Sequence, residues 1–319
     1  MKNYNLIERA LHDLVLSNKF INKSLFELEK FFYLDNKNIS SQYHIFITGL
    51  PRSGTTSLLN FFYASNEFGS LKYKNMPFIF SPNFSKLLNK KNIAKKERLH
   101  GDGITFDINS PEAFDDIFLN DKKNFVKSEF LNYINLILVS ENKEKYLSKN
   151  NLNYQRIKFI NSLLPNSLFL IPIREPLQHS YSLLTQHINF SKLQIEDVFI
   201  QRYMRYLGHN EFGLNHKPWN KSLYYNNSEK INYWLEQWCL FYQNIYENYK
   251  SNKNCIFVIY EKLTNQNYVK ILLEKIRLNK NKTLDLNFFK NSNKVKIDTN
   301  YDKNVYENGR SIYEKFKNI

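Results

Sequence analysis

Between Tyr43 and Ala64 a short apolar run, a loop bracketed by glycines and a segment with a helical apolar stripe follow one another, and nothing else in this chain constrains its fold as tightly. Tyr43 to Thr48 reads as a buried strand. Gly49-Leu-Pro-Arg-Ser-Gly54 is the loop, and Thr55 to Ala64, with Leu58, Leu59, Phe61 and Phe62, reads as a helix packed on a sheet. A strand that feeds a helix through such a loop is built to hold an anion. Successive backbone N–H groups form a concavity, and the helix N-terminus adds partial positive charge.

The loop also says which phosphate chemistry it does not serve. The G-x-x-x-x-G-K-[ST] pattern of nucleoside-triphosphate loops places Lys where this chain has Thr55, and that Lys normally reaches the terminal phosphates. The cation here is Arg52, earlier in the loop. No apolar strand ends in a convincing Mg²⁺-binding Asp, so a P-loop kinase or NTPase is the weaker alternative.

A second apolar run, Leu168 to Ile173, leads into Arg174-Glu-Pro, and Ser182 follows eight residues after Arg174, about two helical turns on. An Arg at the carboxyl end of a parallel strand points into the crevice where such sheets bind ligands. Guanidinium and hydroxyl together suit a phosphate. Pro172 within this run removes a ladder donor. A third run, Cys255 to Ile259, precedes Tyr260-Glu261. Helical patterns over Tyr154–Leu164, Leu177–His187 and Ser228–Tyr249 separate these runs, whereas residues 66–125 carry no long periodic segment. Strands alternating with helices predict an α/β fold: a P-loop-type parallel sheet flanked by helices, with helical additions.

Met1 to Leu34, with Leu6, Ala10 and Leu14 and then Leu25, Leu28 and Phe32 at helical spacing, predicts an amphipathic helix pair, neither signal peptide nor membrane span. One domain is expected over 1–319: a helical extension at 1–40, the core at 43–270 and a tail at 271–319 packing on it. The net charge of +15 invites a non-enzymatic binding protein for nucleic acid or another anionic polymer. That reading leaves two phosphate motifs, each placed after a strand, unexplained. The lysines are scattered, and Lys, Asn, Ile, Phe and Tyr are abundant together, so compositional bias accounts for most of the charge; no nucleic-acid partner is expected. Cys239 and Cys255 belong to no C-x-x-C or Cys/His cluster, which argues against zinc and disulfides and for a reducing, cytoplasmic setting.

Arg52-Ser-Gly-Thr-Thr resembles the 5′-phosphosulfate loop of sulfotransferases that use 3′-phosphoadenosine-5′-phosphosulfate (PAPS), and Arg174 with Ser182 resembles their 3′-phosphate motif. Lys149-Asn-Asn, a helix, Leu164-Pro-Asn, a strand and Arg-Glu-Pro resemble the bacterial and tyrosylprotein/carbohydrate branches; Val258-Ile-Tyr-Glu-Lys-Leu263 is similar to a late Tyr-Glu-x-Leu motif. The resemblance implies transfer of a sulfuryl group from PAPS to an acceptor hydroxyl, on a carbohydrate or small metabolite, with PAP as product and no metal. It implies that Arg52, Ser53, Gly54, Thr55, Thr56 and Ser57 hold the 5′ end of the nucleotide and Arg174 and Ser182 the 3′-phosphate. Arg52 and Lys149 would meet the developing charge.

The chain departs from that pattern at Pro172 and Pro176-Leu177. It has no Arg-Lys-Gly segment, Asn308-Gly-Arg310 being no clear match, and Leu71 to Pro77 lacks the glutamate that serves as base in the tyrosylprotein branch. For the base, the turn His100-Gly-Asp102-Gly offers His100, with Asp102 and Glu112 in reserve, and His can take a proton near neutral pH unaided. His187 and His209 are weaker candidates for the base, since each lies in or beside a helix, where a histidine also reads as a packing residue. The Trp and Tyr stripe at 233–242 reads as core, and Phe212, Trp219, Tyr224 and Tyr225 as candidates to line the acceptor site.

Overall fold

The computed structural model describes residues 6–35, 38–88, 96–97, 105–112, 114–119, 127–220, 227–278, 285–289 and 300–319. Its centre is a parallel sheet of β1 (Ile45–Ile47), β2 (Phe68–Gly69), β5 (Lys145–Lys149), β6 (Leu168–Ile173) and β7 (Cys255–Ile259), in the order β2-β5-β1-β6-β7. A small antiparallel pair, β3 (Lys96–Glu97) with β4 (Thr105–Phe106), stands apart. Ile45 lies beside Leu147 on one side and Leu168 on the other, which puts β1 in the middle of the sheet. From β1 the chain goes to the far edge at β2, returns inward to β5, and then crosses β1 to add β6 and β7. That reversal opens a crevice beside β1 at the carboxyl edge, where open α/β sheets bind ligands.

Side chains alternate across the pleat. Ile45, Ile47, Leu147, Leu170 and Val258 face α3 (Thr55–Tyr63) and α11 (Gln266–Lys275). Phe46, Tyr146, Phe169, Ile171 and Ile173 face the other layer, which holds α6 (Lys127–Glu141), α7 (Ile157–Leu163), α8 (Pro176–Glu196), α10 (Ile231–Tyr249) and α12 (Lys303–Lys317). Trp234, Trp238 and Tyr242 on α10 are fully buried, as the stripe predicts. The strands at 168–173 and 255–259 form as read.

Pro172 costs the sheet little. Thr48 donates to the Leu170 carbonyl while Phe169 donates to Asn254, so even-numbered residues of β6 face β1 and odd-numbered ones face β7. Continuing that register sets Pro172 against Gly49, where β1 has already become loop. The Pro172 carbonyl accepts from Tyr242 Oη at 2.9 Å.

Two features lay outside the sequence reading. Lys145-Tyr-Leu-Ser-Lys149 shows no apolar run, yet it is β5, because Ser148 buries its hydroxyl against the Asp115 carboxylate. Helix α12 docks on α10 and α8. The N-terminal pair forms as α1 (Leu6–Ser17) and α2 (Lys19–Tyr33), but its inward stripe differs from the expected one. His12, Val15, Leu16, Asn22, Phe26 and Glu29 are buried, whereas Leu6, Leu14, Leu28 and Phe32 are exposed. The reason lies with Glu29, whose carboxylate is wholly buried and accepts from the Asn83 and Phe84 N–H groups at 2.6 and 3.1 Å, at the start of α4 (Pro82–Ser85). An apolar count cannot anticipate a charged residue facing inward.

Candidate active site

The glycine loop is held in a conformation most residues avoid. Gly49 and Gly54 have φ of 145° and 98°, and Arg52, a non-glycine, has φ of 69°. Gly54 is the N-cap of α3, so the first N–H groups of the helix, at Thr55, Thr56 and Ser57, stand at its open end. Ser53 is buried and turns its hydroxyl into the loop, onto the Leu50 carbonyl at 2.7 Å. From the layer below, Trp238 Nε1–H donates to His179 Nδ1 at 3.1 Å, which leaves His179 Nε2–H to donate to the Pro51 carbonyl at 2.8 Å. A buried, neutral imidazole thus anchors the loop to α10.

The two phosphate motifs meet. Arg52 Nε donates to Ser182 Oγ at 3.2 Å across 130 residues of sequence. Arg174 Nη1 donates to the Arg52 carbonyl at 3.3 Å, and its guanidinium lies 5.7 Å from the centre of the Tyr260 ring. That ring fills the space a Gly54 side chain would need. Arg174 Nε is buried and has no hydrogen-bond partner. Buried donors are ordinarily satisfied, and an orphaned guanidinium N–H beside an anion cradle fits a phosphate ligand.

Behind Arg174 a carboxylate pair ties two strand ends together. Glu175 N–H donates to Glu261 at 2.9 Å, and the Glu175 side chain caps α8 through Gln178 N–H. Two phenols of α12 close this network: Tyr306 donates to Glu175 at 3.0 Å and Tyr313 to Glu261 at 2.6 Å. Burial and the neighbouring carboxylate push Tyr306 up to about 12, so it remains a donor. Gly309 is buried against Pro176 and Cys239 and lets α12 approach. Arg310 is exposed and pairs with Glu307, so the helix braces the arginine motif with tyrosines.

Lys149 ends β5 beside the loop. Asn150 N–H donates to the Ile47 carbonyl, and Thr48 Oγ1 bridges to the Asn151 carbonyl and Tyr154 N–H. Lys149 Nζ lies 3.6 Å from Glu112, which also accepts from Tyr73 Oη at 2.6 Å. Glu112 reaches this place through the bridge that pairs Pro111 with Lys72, so a carboxylate stands here although Leu71–Pro77 holds none. Asp116, paired with Arg156 at 2.9 Å and accepting from Asn150, is part of the same edge. His209 stands 3.4 Å from Glu211. His100 and Asp102 lie outside the described residues, as do Tyr224 and Tyr225. Phe212 is a core residue, packed on Phe190 and Trp234, whereas Trp219, which packs against it, is only partly buried. His187, a weaker candidate for the base, is buried, and its Nδ1 accepts from Gly213 N–H.

Residues 44–270 match the sequence profile of the sulfotransferase family. The chain belongs to the sulfotransferase family. Among solved structures, sulfotransferase STF1 of Mycobacterium tuberculosis aligns over 99% of this chain and 87% of its own, with a TM-score of 0.52 at 12% identity. Sulfotransferase STF9 of Mycobacterium avium aligns over 98% and 78%, with a TM-score of 0.46 at 10% identity. The likeness to STF1 shows that the sulfotransferase shares its α/β fold. No curated protein matches the sequence. Among the described residues, no helix is long and apolar enough to cross a membrane, and no group of three or more His, Cys, Asp or Glu is placed to hold a metal ion.

The buried histidines give this sulfotransferase a defined acid response. Burial holds His44 and His216 down to about 4 and His179 down to about 3. An unfolded His titrates near 6.5. The folded state therefore binds these protons more weakly, and stability present above pH 6.5 is lost as the pH falls toward 4. Asp115, pushed up to about 6 by burial, acts in the opposite sense, and Glu29, also raised by burial, acts in the same sense as Asp115. The melting temperature should drop between pH 6.5 and 4. His179→Gln should flatten the slope of unfolding free energy by up to one proton, about 1.4 kcal/mol per pH unit. An unaltered slope would contradict a neutral His179.

Proposed function

We propose that this sulfotransferase moves a sulfuryl group from PAPS to a hydroxyl of a carbohydrate or small metabolite. The observation that carries the reading is the convergence of Arg52, Ser182 and Arg174 on one edge of the sheet, with the buried Nε of Arg174 unpaired. In this reading Arg174 and Ser182 hold the 3′-phosphate, while Arg52 and the backbone from Ser53 to Ser57 hold the 5′-phosphate end. The α12 tyrosines keep Glu175 and Glu261, and through them the strand ends, in place. Lys149 stands where negative charge grows on the departing phosphate, and a preorganised cation there lowers the barrier without reorganisation. Arg52, Lys149 and the loop N–H groups together meet that charge, so no metal enters the reading. The free, buried thiols of Cys239 and Cys255 suit a cytoplasmic enzyme.

Thermal unfolding with nucleotides tests the assignment. A ligand that binds the native state alone stabilises it by about 2.7 kcal/mol at a hundred times its Kd. PAP should raise the melting temperature in a concentration-dependent way, and ATP with Mg²⁺ should do so far less. Equal stabilisation by ATP would favour a kinase; none by PAP would overturn the proposal.

A further inference from the structure

The end of α9 (Val198–Tyr206) delivers a histidine to the site edge by a local rule. Gly208, at φ 75°, takes the left-handed position after the helix. His209 N–H then donates to the Met204 carbonyl at 2.9 Å and Gly208 N–H to the Arg205 carbonyl at 3.1 Å. This pair of bonds is a Schellman motif, which stops a helix and throws the next residue clear of it. The returning chain is pinned from several sides. Lys217 N–H bonds Asn210, Gly213 N–H bonds His187, Leu214 N–H bonds Gln194, and His216 Nδ1 bonds the Glu211 carbonyl.

Held in this way, His209 Nδ1 lies 3.4 Å from each carboxylate oxygen of Glu211. With Nδ1–H donating to the carboxylate, the lone pair of the imidazole sits on Nε2. The ring lies deep in the protein, yet the side chain keeps 34% of its surface, while Glu211 keeps 11%. Among the described histidines no other combines a carboxylate partner with such access. His44, His179 and His216 use both ring nitrogens in buried hydrogen bonds. Beyond Glu211, Lys149 from the end of β5 and Asp116 from the start of α5 (Asp116–Leu119) also act electrostatically on His209, so it faces the end of β5 that carries Lys149. Glu112 is already engaged by Lys149 and Tyr73.

We infer that His209, oriented by Glu211, takes the proton from the acceptor hydroxyl; the inference rests on the sulfotransferase reading above. The acceptor oxygen bonds to sulfur as its proton passes to His209 Nε2. The bond between sulfur and the 5′-phosphate oxygen breaks, and its electron pair leaves on PAP, facing Arg52 and Lys149. Glu211 stabilises the imidazolium until the proton passes to water. The products are the sulfate ester, PAP and one proton. Burial alone would hold His209 down, but the charge and hydrogen bond of Glu211 outweigh it and lift the imidazole above its ordinary value, with Lys149 opposing.

Two measurements on the full chain test this. In the first, labelled PAPS is turned over with glycerol at high concentration as the acceptor probe. His209→Ala and His209→Gln should lower the rate about 10²–10⁴-fold and abolish the acidic limb of the pH profile. Glu211→Gln should lower the rate and shift that limb to lower pH. PAP should still raise the melting temperature of all three variants, which separates failure here from failure of the cofactor assignment. In the second, imidazole NMR of the PAP-bound protein should show His209 as the Nδ1–H tautomer, titrating above 6.5 and lower in Glu211→Gln. A full rate in His209→Ala, an acidic limb removed by His100→Ala instead, or an Nε2–H tautomer for His209 would each overturn the inference.

Discussion

Replacing Gly54 by alanine is expected to destabilise the sulfotransferase by about 2–5 kcal/mol and to abolish stabilisation by PAP. Two effects add. At φ 98° an L-residue carries a left-handed penalty of about 1–2 kcal/mol. A Cβ at this position would also lie 2.3–2.4 Å from two carbons of the Tyr260 ring. The ring cannot yield freely, because it also lies under Arg174, and forced repacking costs about 1–3 kcal/mol. Gly49→Ala supplies the control. Its backbone is also left-handed, at φ 145°, but its Cβ would meet nothing closer than 3.5 Å. Gly49→Ala should therefore show only the backbone part of the loss. Melting temperatures and PAP titrations of both variants provide the check, and equal effects would refute the role given to Tyr260.

Arg174→Ala should weaken PAP binding about tenfold to a hundredfold and reduce discrimination against adenosine 5′-phosphosulfate, which has no 3′-phosphate. Losing a charge-assisted hydrogen bond costs about 1.5–3 kcal/mol, and each 1.4 kcal/mol is a factor of ten. Arg174→Lys should recover little, since an ammonium group reproduces neither the planar fork of the guanidinium nor its contact with the Tyr260 ring. The folded state should lose only the long Nη1 bond to the Arg52 carbonyl and the contact with the Tyr260 ring, while burial already disfavours the Arg174 charge and its Nε has no protein partner to lose. Calorimetric titration with PAP and with adenosine 5′-phosphosulfate reads both quantities. Unchanged PAP affinity in Arg174→Ala would remove Arg174 from the 3′-phosphate site.

Much of this molecule is legible in its sequence. The strands at 168–173 and 255–259 are uniform apolar runs, because a parallel strand covered on both faces has no polar side to show. The glycine loop reads from sequence because its backbone conformation admits few residues at Gly49 and Gly54. For these two strands, the tight loop and the aromatic stripe of α10, structure is determined within a few residues, and there the sequence alone determined it.

What the tertiary structure alone decided involves partners distant in the chain. Lys145–Lys149 is a strand only because Asp115 satisfies Ser148 and β1 offers a ladder. Glu29 faces inward only because α4 needs an acceptor. Glu112 stands beside Lys149 because Pro111 pairs with Lys72. His209, one of seven histidines in the sequence, gains its carboxylate partner from Gly208 and Glu211 locally, whereas its setting in the fold comes from the packing of α9 against α8 and α1. The bond from Arg52 to Ser182 spans 130 residues. Charge pairing and buried polar satisfaction depend on distance in space, which residue order does not encode until the core has folded and brought the partners together.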